Sequence, residues 1–127
     1  MSYYYLASPY TAHPGGLADG YRLACEETAR LLRHGVPVLS PIAHGHAIDR
    51  DGGPFGLGLS HDAWLAIDRA YLSAAAGLVW LDGPGAGQSH GMAQELKWAK
   101  EIGMPIYTMQ PGEAPAAIEE MKRRVND

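Results

Sequence analysis

Two acidic residues of the sequence, Glu95 and Asp68, occur in settings that suit chemistry rather than simple solvation. Glu95 belongs to residues 77–102, where a short apolar run breaks into a glycine-rich turn and then into a helical pattern. Ser89 stands where a helix N-cap is expected, because its hydroxyl can accept a hydrogen bond from the first turn. The side chain of Glu95 then leans back over the gap left by Gly91. We therefore expect the Glu95 carboxylate to border a space in which a small ligand fits.

Asp68 is the second candidate because the helical pattern directs it to the centre of an apolar side that includes Trp64 and Leu72. A carboxylate on such a face needs a partner or a function, since loss of hydration disfavours its charge and raises its pKa. Two interpretations stay open for Asp68: a functional acid, or a buried side chain satisfied by hydrogen bonds to loop backbone. For Glu95 the alternative is an ordinary solvated helix residue.

The two acids must be positioned by a chain in which short apolar runs alternate with segments of helical periodicity. Strands are predicted at residues 3–7, 36–39, 78–81 and 104–108, and helices at residues 20–34, 60–74 and 114–125, with a further helix after Ser89. This alternation predicts an α/β fold with a parallel sheet that is covered on both faces and joined by right-handed crossovers. Residues 40–59 are rich in glycine and polar side chains and predict a long loop of the lid or binding type.

Polar clusters follow the first three predicted strands, at residues 8–11, 40–46 and 82–89. Ligands of parallel sheets bind outside the carboxyl ends of the strands, so one crevice can collect these clusters. We expect Asp68 and Glu95 to face each other across it. The candidate binding residues are Ser8, Tyr10, His44, His46, Asp62, Ser89 and Gly91.

Structural explanations compete for several of these candidates. Asp62 is also explained by the helix dipole, which favours a negative charge in a first helical turn. Tyr10 can be a packed aromatic residue, and His44 and His46 can be loop histidines with satisfied hydrogen bonds.

The sequence disfavours three other kinds of site. Residues 83–87, Gly-Pro-Gly-Ala-Gly, have neither the spacing of a dinucleotide fingerprint nor the Gly-Lys-Ser/Thr of a P-loop, so no cofactor is expected. A metal centre could draw on His44, His46, His61 or His90, since His44 and His46 can present two imidazoles together. No third ligand occurs at a spacing typical of metal sites, so no metal is expected. A serine or cysteine hydrolase is disfavoured because no Gly-x-Ser-x-Gly elbow occurs and Cys25 falls on an apolar helix face.

Composition limits the classes of protein and partner. The 127 residues, 46% of them apolar, predict a single globular domain over residues 1–127. The net charge of −4 argues against nucleic acid as a partner. The single cysteine, Cys25, excludes an intrachain disulfide and is expected to be a buried thiol in a reducing compartment. No apolar run approaches the roughly 20 residues of a membrane span and no basic leader precedes the first strand, so we expect no membrane partner and a cytoplasmic location.

Four features of the chain together resemble the pattern of a known protein superfamily. They are the Leu-Ala-Ser-Pro-Tyr run that ends at Tyr10, the Ser-Pro-Ile-Ala-His-Gly-His run that begins at Ser40, Asp68 in the middle helix, and the spacing Ser89-x-Gly91-x-x-x-Glu95. In order and spacing they resemble the nucleoside 2-deoxyribosyltransferase-like superfamily, and within it a small, largely uncharacterised bacterial branch. The resemblance covers nearly the whole chain. It implies a flavodoxin-like three-layer sandwich with a parallel sheet of four to five strands in the order 2-1-3-4(-5), and a homo-oligomer, dimer or tetramer, whose active sites sit close to a subunit interface.

The resemblance also implies roles for individual residues. In characterised relatives the glutamate that matches Glu95 is the nucleophile at the sugar C1′, and the position that matches Ser89 contacts the sugar or its 5′-phosphate. An aspartate of the middle helix, matched here by Asp68, handles the leaving base or the sugar. The nucleotide hydrolase branch carries an arginine in the first loop, where this chain has residues 8–11, Ser-Pro-Tyr-Thr.

The expected function is therefore that of an N-glycosidase or deoxyribosyltransferase that acts on a nucleoside or nucleoside 5′-monophosphate through a glutamate nucleophile, with retention of configuration. Glu95 is expected to be ionised and Asp68 to stay near neutral as the acid that helps the base to leave. The alternative is a non-catalytic module that binds a nucleotide or related metabolite in the same crevice. Release of free base separates the two.

Overall fold

The apolar runs of the sequence form the strands of a single sheet. In the computed structural model, which describes residues 1–55 and 60–126, the strands are β1 (Tyr4–Ala7), β2 (Val38–Leu39), β3 (Gly77–Leu81) and β4 (Ile106–Met109). All pair in parallel, in the order β2-β1-β3-β4. The helices are α1 (Leu17–Arg33), α2 (Pro41–Asp51), α3 (His61–Ser73), α4 (His90–Glu101) and α5 (Ile118–Asn126), with short 3₁₀ turns at Gly53–Phe55 and Ala86–Gln88. The predicted flavodoxin-like α/β sandwich with strand order 2-1-3-4 is confirmed.

The central strand β1 divides the interior into two cores because successive side chains of a strand point to opposite faces. Tyr4 and Leu6 pack on one face with Leu31 of α1 and Met121 of α5. Tyr5 and Ala7 pack on the other face with side chains of α3 and α4. All four residues of β1 are fully buried, as expected for a strand that is covered on both sides. The candidate acids lie on the α3 and α4 side.

The predicted loop at residues 40–59 is wrong over most of its described part, which forms helix α2. Ser40 caps this helix, since its Oγ accepts a hydrogen bond from the Ala43 backbone N–H at 3.1 Å, and Pro41 occupies the first helical turn. A serine cap followed by proline is a helix start signal, and here it outweighs the glycine and polar content on which the loop prediction relied. Residues 56–59 of the predicted loop lie outside the described residues.

Several predicted boundaries differ from the observed ones. Helix α1 begins at Leu17 rather than at residue 20, and α5 begins at Ile118 rather than at residue 114, because the Ile118 N–H donates to the Pro115 carbonyl in a separate turn. Strands β2 and β4 begin at residues 38 and 106, later than predicted. Cys25, predicted to be buried, is half-buried. None of the helices in the described ranges has both the length and the apolar character needed to cross a membrane.

Candidate functional site

A cavity of about 290 Å³ opens at the carboxyl ends of the strands. Its walls come from the loop after β1 and from the segments that follow β2 and β3, as the parallel topology predicts. The volume lies at the small end of the range for sites that bind small molecules. The lining residues are Ser8, Tyr10, Thr11, Leu17, Pro41, Ile42, Gly45, His46, Asp49, His61, Trp64, Leu65, Asp68, Ser89, Gly91, Met92 and Glu95.

Helices α3 and α4 bring the two candidate acids to this cavity. Asp68 follows His61 by two helical turns, and both side chains line the cavity from the same face of α3. On α4, Ser89 caps the helix as predicted, with its Oγ accepting a hydrogen bond from the Met92 N–H at 3.2 Å. Ser89 and Glu95 both line the cavity. The prediction that Asp68 and Glu95 converge on one hollow above the sheet is confirmed.

Glu95 is a buried carboxyl group held by a tyrosine of the central strand. The residue is 6% exposed, and its Oε2 accepts a hydrogen bond from the hydroxyl of Tyr5. Burial raises the pKa of Glu95 to about 8, the Tyr5 hydrogen bond opposes this rise, and the charge of Asp68 adds to it. Glu95 therefore keeps its proton at neutral pH.

Asp68 is the less buried of the two acids. Burial raises the pKa of Asp68 only to about 6, so this carboxyl group is mostly ionised at neutral pH. The sequence prediction, with Glu95 ionised and Asp68 near neutral, is wrong for the resting site. The physical reason is that the inner face of α3 borders the cavity rather than a core: Trp64 and Leu65 are half-buried, and Leu72 is the buried residue of the helix.

Gly91 leaves open the space beside Glu95. A Cβ built at Gly91 would meet only His61 Cε1 at 3.7 Å and Ser89 Oγ at 3.9 Å, which are ordinary contact distances. No crowding therefore requires glycine at this position. Its effect is to leave room in the cavity, as expected from the spacing between residues 91 and 95.

The glycine-rich segment at residues 83–87 packs against the first loop. Gly85 has a φ of 90°, and a Cβ at this position would collide with the Ala12 carbonyl oxygen. Only glycine permits both this backbone conformation and this close approach. The contact holds in place the loop that carries Ser8 and Tyr10 to the cavity.

Ser8 supplies a buried hydroxyl group that no described residue satisfies. The residue is 4% exposed, and its Oγ has no hydrogen-bond partner within the described part of the chain. Buried polar atoms are rarely left unpaired, because loss of hydration without a replacement hydrogen bond is unfavourable. Since Ser8 lines the cavity, its hydroxyl is available to a ligand.

An aromatic cluster forms the α2 side of the cavity. The Tyr10 hydroxyl and His46 Nδ1 are hydrogen-bonded at 2.6 Å, with the donor set by the histidine tautomer. The ring of Tyr21 stacks on His46 with a centroid distance of 4.1 Å. Burial and the charge of Asp49 raise the pKa of Tyr10, which places Asp49 close to this cluster. These contacts fix the orientation of the two predicted binding residues Tyr10 and His46.

The structure leaves two predicted binding residues away from the cavity wall. His44 packs its ring edge-on against Tyr71 at a centroid distance of 5.6 Å. Asp62 is exposed in the first turn of α3, where the helix dipole accounts for its charge. The other predicted binding residues, Ser8, Tyr10, His46, Ser89 and Gly91, all line the cavity.

Other residues at the site were missed by sequence reasoning. His61 and Trp64 precede Asp68 at helical spacing, and this periodicity was a usable signal for their shared face. Asp49 has no such signal, because a loop prediction for residues 40–59 assigns it to no helical face. Tyr5 had no comparable signal, since a tyrosine in a buried strand is most simply explained as core.

The charged side chains of the cavity wall are acidic. Asp49, Asp68 and Glu95 line it, and none of the described lining residues is Lys or Arg. Across residues 1–55 and 60–126, no group of three or more His, Cys, Asp and Glu side chains is arranged to hold a metal ion. What the arrangement can do chemically is hold a small ligand between two carboxyl groups of different burial.

Comparison with known proteins places the chain in a family of undetermined activity. No curated protein matches the sequence. The family described as "Domain of unknown function (DUF1937)" matches residues 2–111, which include every strand and all the residues that line the cavity. The chain therefore belongs to the DUF1937 family.

Proposed function

We propose that the protein cleaves the N-glycosidic bond of a nucleoside or nucleoside 5′-monophosphate, as a retaining N-glycosidase or a deoxyribosyltransferase with Glu95 as nucleophile. The observation that carries this proposal is that Glu95 and Asp68 line one small cavity while differing in burial and in pKa. Glycoside cleavage uses two carboxyl groups with different pKa values. One attacks the anomeric carbon as a nucleophile, and the other acts as general acid and base. The resemblance of the sequence to the nucleoside 2-deoxyribosyltransferase-like superfamily supports the same reaction.

The resting protonation of the two acids defines the first step. Glu95 must lose its proton before it can attack, and Asp68, ionised at neutral pH, accepts it. The Glu95 carboxylate then forms a bond to C1′ as the C1′–N bond breaks, and the departing base takes its electron pair together with the proton from Asp68. The hydroxyl of Tyr5 stays hydrogen-bonded to Oε2 and favours the ionised form.

The second step regenerates the enzyme. Water, or a second base in a transferase, attacks C1′ from the face opposite Glu95 and displaces the carboxylate. Asp68, now ionised, takes the proton of the nucleophile. Two inversions at C1′ give overall retention of configuration.

Incubation of the purified protein with nucleosides and their 5′-monophosphates, followed by chromatography for free base, tests this proposal. We expect base release by the wild type and a loss of about a thousandfold or more in Glu95→Gln. Glu101→Gln is the matched control, because Glu101 is exposed at the end of the same helix, and it should retain activity. Undiminished base release by Glu95→Gln would exclude Glu95 as nucleophile. Ligand binding without base release would favour the non-catalytic module.

The resemblance also leads us to propose a homo-oligomer, a dimer or a tetramer, with the cavity close to a subunit interface. Light scattering coupled to size-exclusion chromatography measures the mass against 13.6 kDa for one chain. A monomer at micromolar concentration would contradict this part of the proposal without bearing on the chemistry.

A further inference from the structure

The acidic cavity wall bears on which N-glycosides the site accepts. Asp49, Asp68 and Glu95 line the cavity, while Lys and Arg are missing from its described wall. A phosphate group held in such a place would meet the carboxylates of Asp49 and Asp68 without a lysine or arginine to balance its charge, and this costs more in a partly buried site than in water.

The starts of three helices are the features of the wall that could offset this repulsion. First-turn or cap residues of α2, α3 and α4 line the cavity, and helix N-termini carry roughly half a positive charge each. Each start already has a serine cap: Ser40 accepts from Ala43, Ser60 from Ala63 and Ser89 from Met92. The partial charges that remain act against the full negative charges of Asp49 and Asp68, so the wall as a whole disfavours an anion.

Neutral and aromatic groups supply the remaining recognition. The unpartnered hydroxyl of Ser8 can bond to a sugar hydroxyl, for which no charge is needed. Trp64 and Tyr10 present aromatic surface to the same space. Aromatic rings together with carboxylates are the surroundings that stabilise an organic cation.

We propose that the site selects N-glycosides by charge: it takes nucleosides without a 5′-phosphate, and among these it favours those whose base is cationic, such as a pyridinium. This inference rests on the proposed function, because it concerns the substrate class of the same site. It narrows the sequence expectation, which included nucleosides and 5′-monophosphates, and it agrees with the lack of an arginine in residues 8–11.

A cationic base also simplifies the reaction. When the C1′–N bond breaks, its electron pair neutralises the ring nitrogen, so the base leaves without needing a proton from Asp68. Glu95 releases its proton to solvent as the cation binds, and its carboxylate forms the bond to C1′. Water then displaces the carboxylate, giving free sugar, neutral base and a proton that Asp68 accepts. The positive charge of the bound substrate favours ionisation of Glu95, which burial otherwise disfavours.

The test uses the wild-type protein and a series of substrates that differ in charge. The probes are nicotinamide riboside, nicotinamide mononucleotide, 2′-deoxyadenosine and 2′-deoxyadenosine 5′-monophosphate, with base release followed by chromatography. We expect each phosphate to lower kcat/KM at least about tenfold, and the pyridinium nucleoside to have the highest value. A phosphorylated probe that is processed better than its nucleoside would overturn charge selection and leave the N-glycosidase proposal standing.

The exposed carboxylate Asp49 allows the charge to be changed without disturbing the interior. Asp49→Lys should raise the kcat/KM of each phosphorylated probe relative to its nucleoside by about threefold to tenfold. Glu101→Gln, which removes a negative charge away from the cavity, should leave this ratio unchanged. An unchanged ratio in Asp49→Lys would contradict selection by the charge of the wall.

Titration calorimetry with the same probes separates the two proposals if no base is released. Binding that weakens with each phosphate would uphold charge selection while the proposed chemistry fails. Binding that strengthens with phosphate, or the absence of binding by any probe, would overturn charge selection.

Discussion

The hydroxyl of Tyr5 on the central strand donates a hydrogen bond to Oε2 of Glu95 on α4, and both residues are buried. The bond ties a fully buried inner strand of the sheet to the candidate nucleophile. It also opposes the rise in the pKa of Glu95 that burial causes. Tyr5 therefore influences both where the carboxyl group lies and how readily it ionises.

Tyr5→Phe should lower kcat for base release by about tenfold to a hundredfold, because a hydrogen bond to a charged group contributes about 1.5–3 kcal/mol. Without this donor the pKa of Glu95 rises further, so the ascending limb of the pH–rate profile should move to higher pH. The matched control is Tyr4→Phe: Tyr4 is equally buried, and its hydroxyl donates to the Met121 carbonyl in the other core. It should lose about 1 kcal/mol of stability and keep its turnover. Equal turnover in the two variants would contradict the role of Tyr5.

Gly91→Ala should raise the free energy of unfolding by up to about 1 kcal/mol, because alanine is the better helix residue and the new methyl group meets no close contact. The same methyl group occupies cavity space, so nucleoside affinity should fall. Thermal unfolding and calorimetry measure the two effects. Gly87→Ala is the control, since a Cβ there meets nothing within 4 Å and Gly87 lies outside this cavity. A Gly91→Ala variant that binds as tightly as the wild type would show that this space is not used.

The stability of the protein should fall as pH rises towards 8. In the folded state the pKa of Glu95 is about 8, raised from 4.5, so between these values the folded state holds a proton that the unfolded chain has lost. Unfolding is then favoured by rising pH, with a slope of at most about 1.4 kcal/mol per pH unit from this group. Asp68 acts in the same direction between 3.8 and about 6.

Urea unfolding at a series of pH values measures this dependence. Glu95→Gln cannot ionise and should lose most of the slope above pH 6, becoming more stable than the wild type at alkaline pH. Glu101→Gln should retain the wild-type slope. The burial argument for Glu95 fails if Glu95→Gln and the wild type lose stability in parallel.

Gly85→Ala should destabilise the protein by more than the roughly 1 kcal/mol that a positive φ alone costs a residue with a Cβ. The additional cost arises from the collision with the Ala12 carbonyl, which must move and displace the loop that carries Ser8. Gly112→Ala is the control that measures the cost of the positive φ alone. Gly112 has a similar φ of 85°, and a Cβ there meets nothing within 4 Å. Chemical denaturation of both variants gives the difference. Equal losses of stability in the two variants would show that the Ala12 carbonyl can move away without destabilising the protein.

Local signals were sufficient for most of the architecture. Strand β3 and its helix α4 could be predicted because an apolar run, a glycine turn and the cap Ser89 follow one another in the chain. The loop prediction for residues 40–59 misses helix α2 although Ser40 and Pro41 carry its start signal, because that prediction gives more weight to the glycine and polar content. Both results follow from interactions within a few residues of sequence, which are the interactions a linear reading can assess.

By itself the sequence determined the parallel sheet and the meeting of Asp68 with Glu95, since periodicity and topology bring those residues to one edge. The strand order followed from the resemblance to a known superfamily. Only the tertiary structure decided which of the two acids keeps its proton. Burial of Glu95 depends on Tyr5 and on packing between elements far apart in the chain, whereas Asp68 borders an open cavity. Hydration is lost through the whole surroundings of a group, so its pKa is a property of the folded molecule rather than of its local sequence.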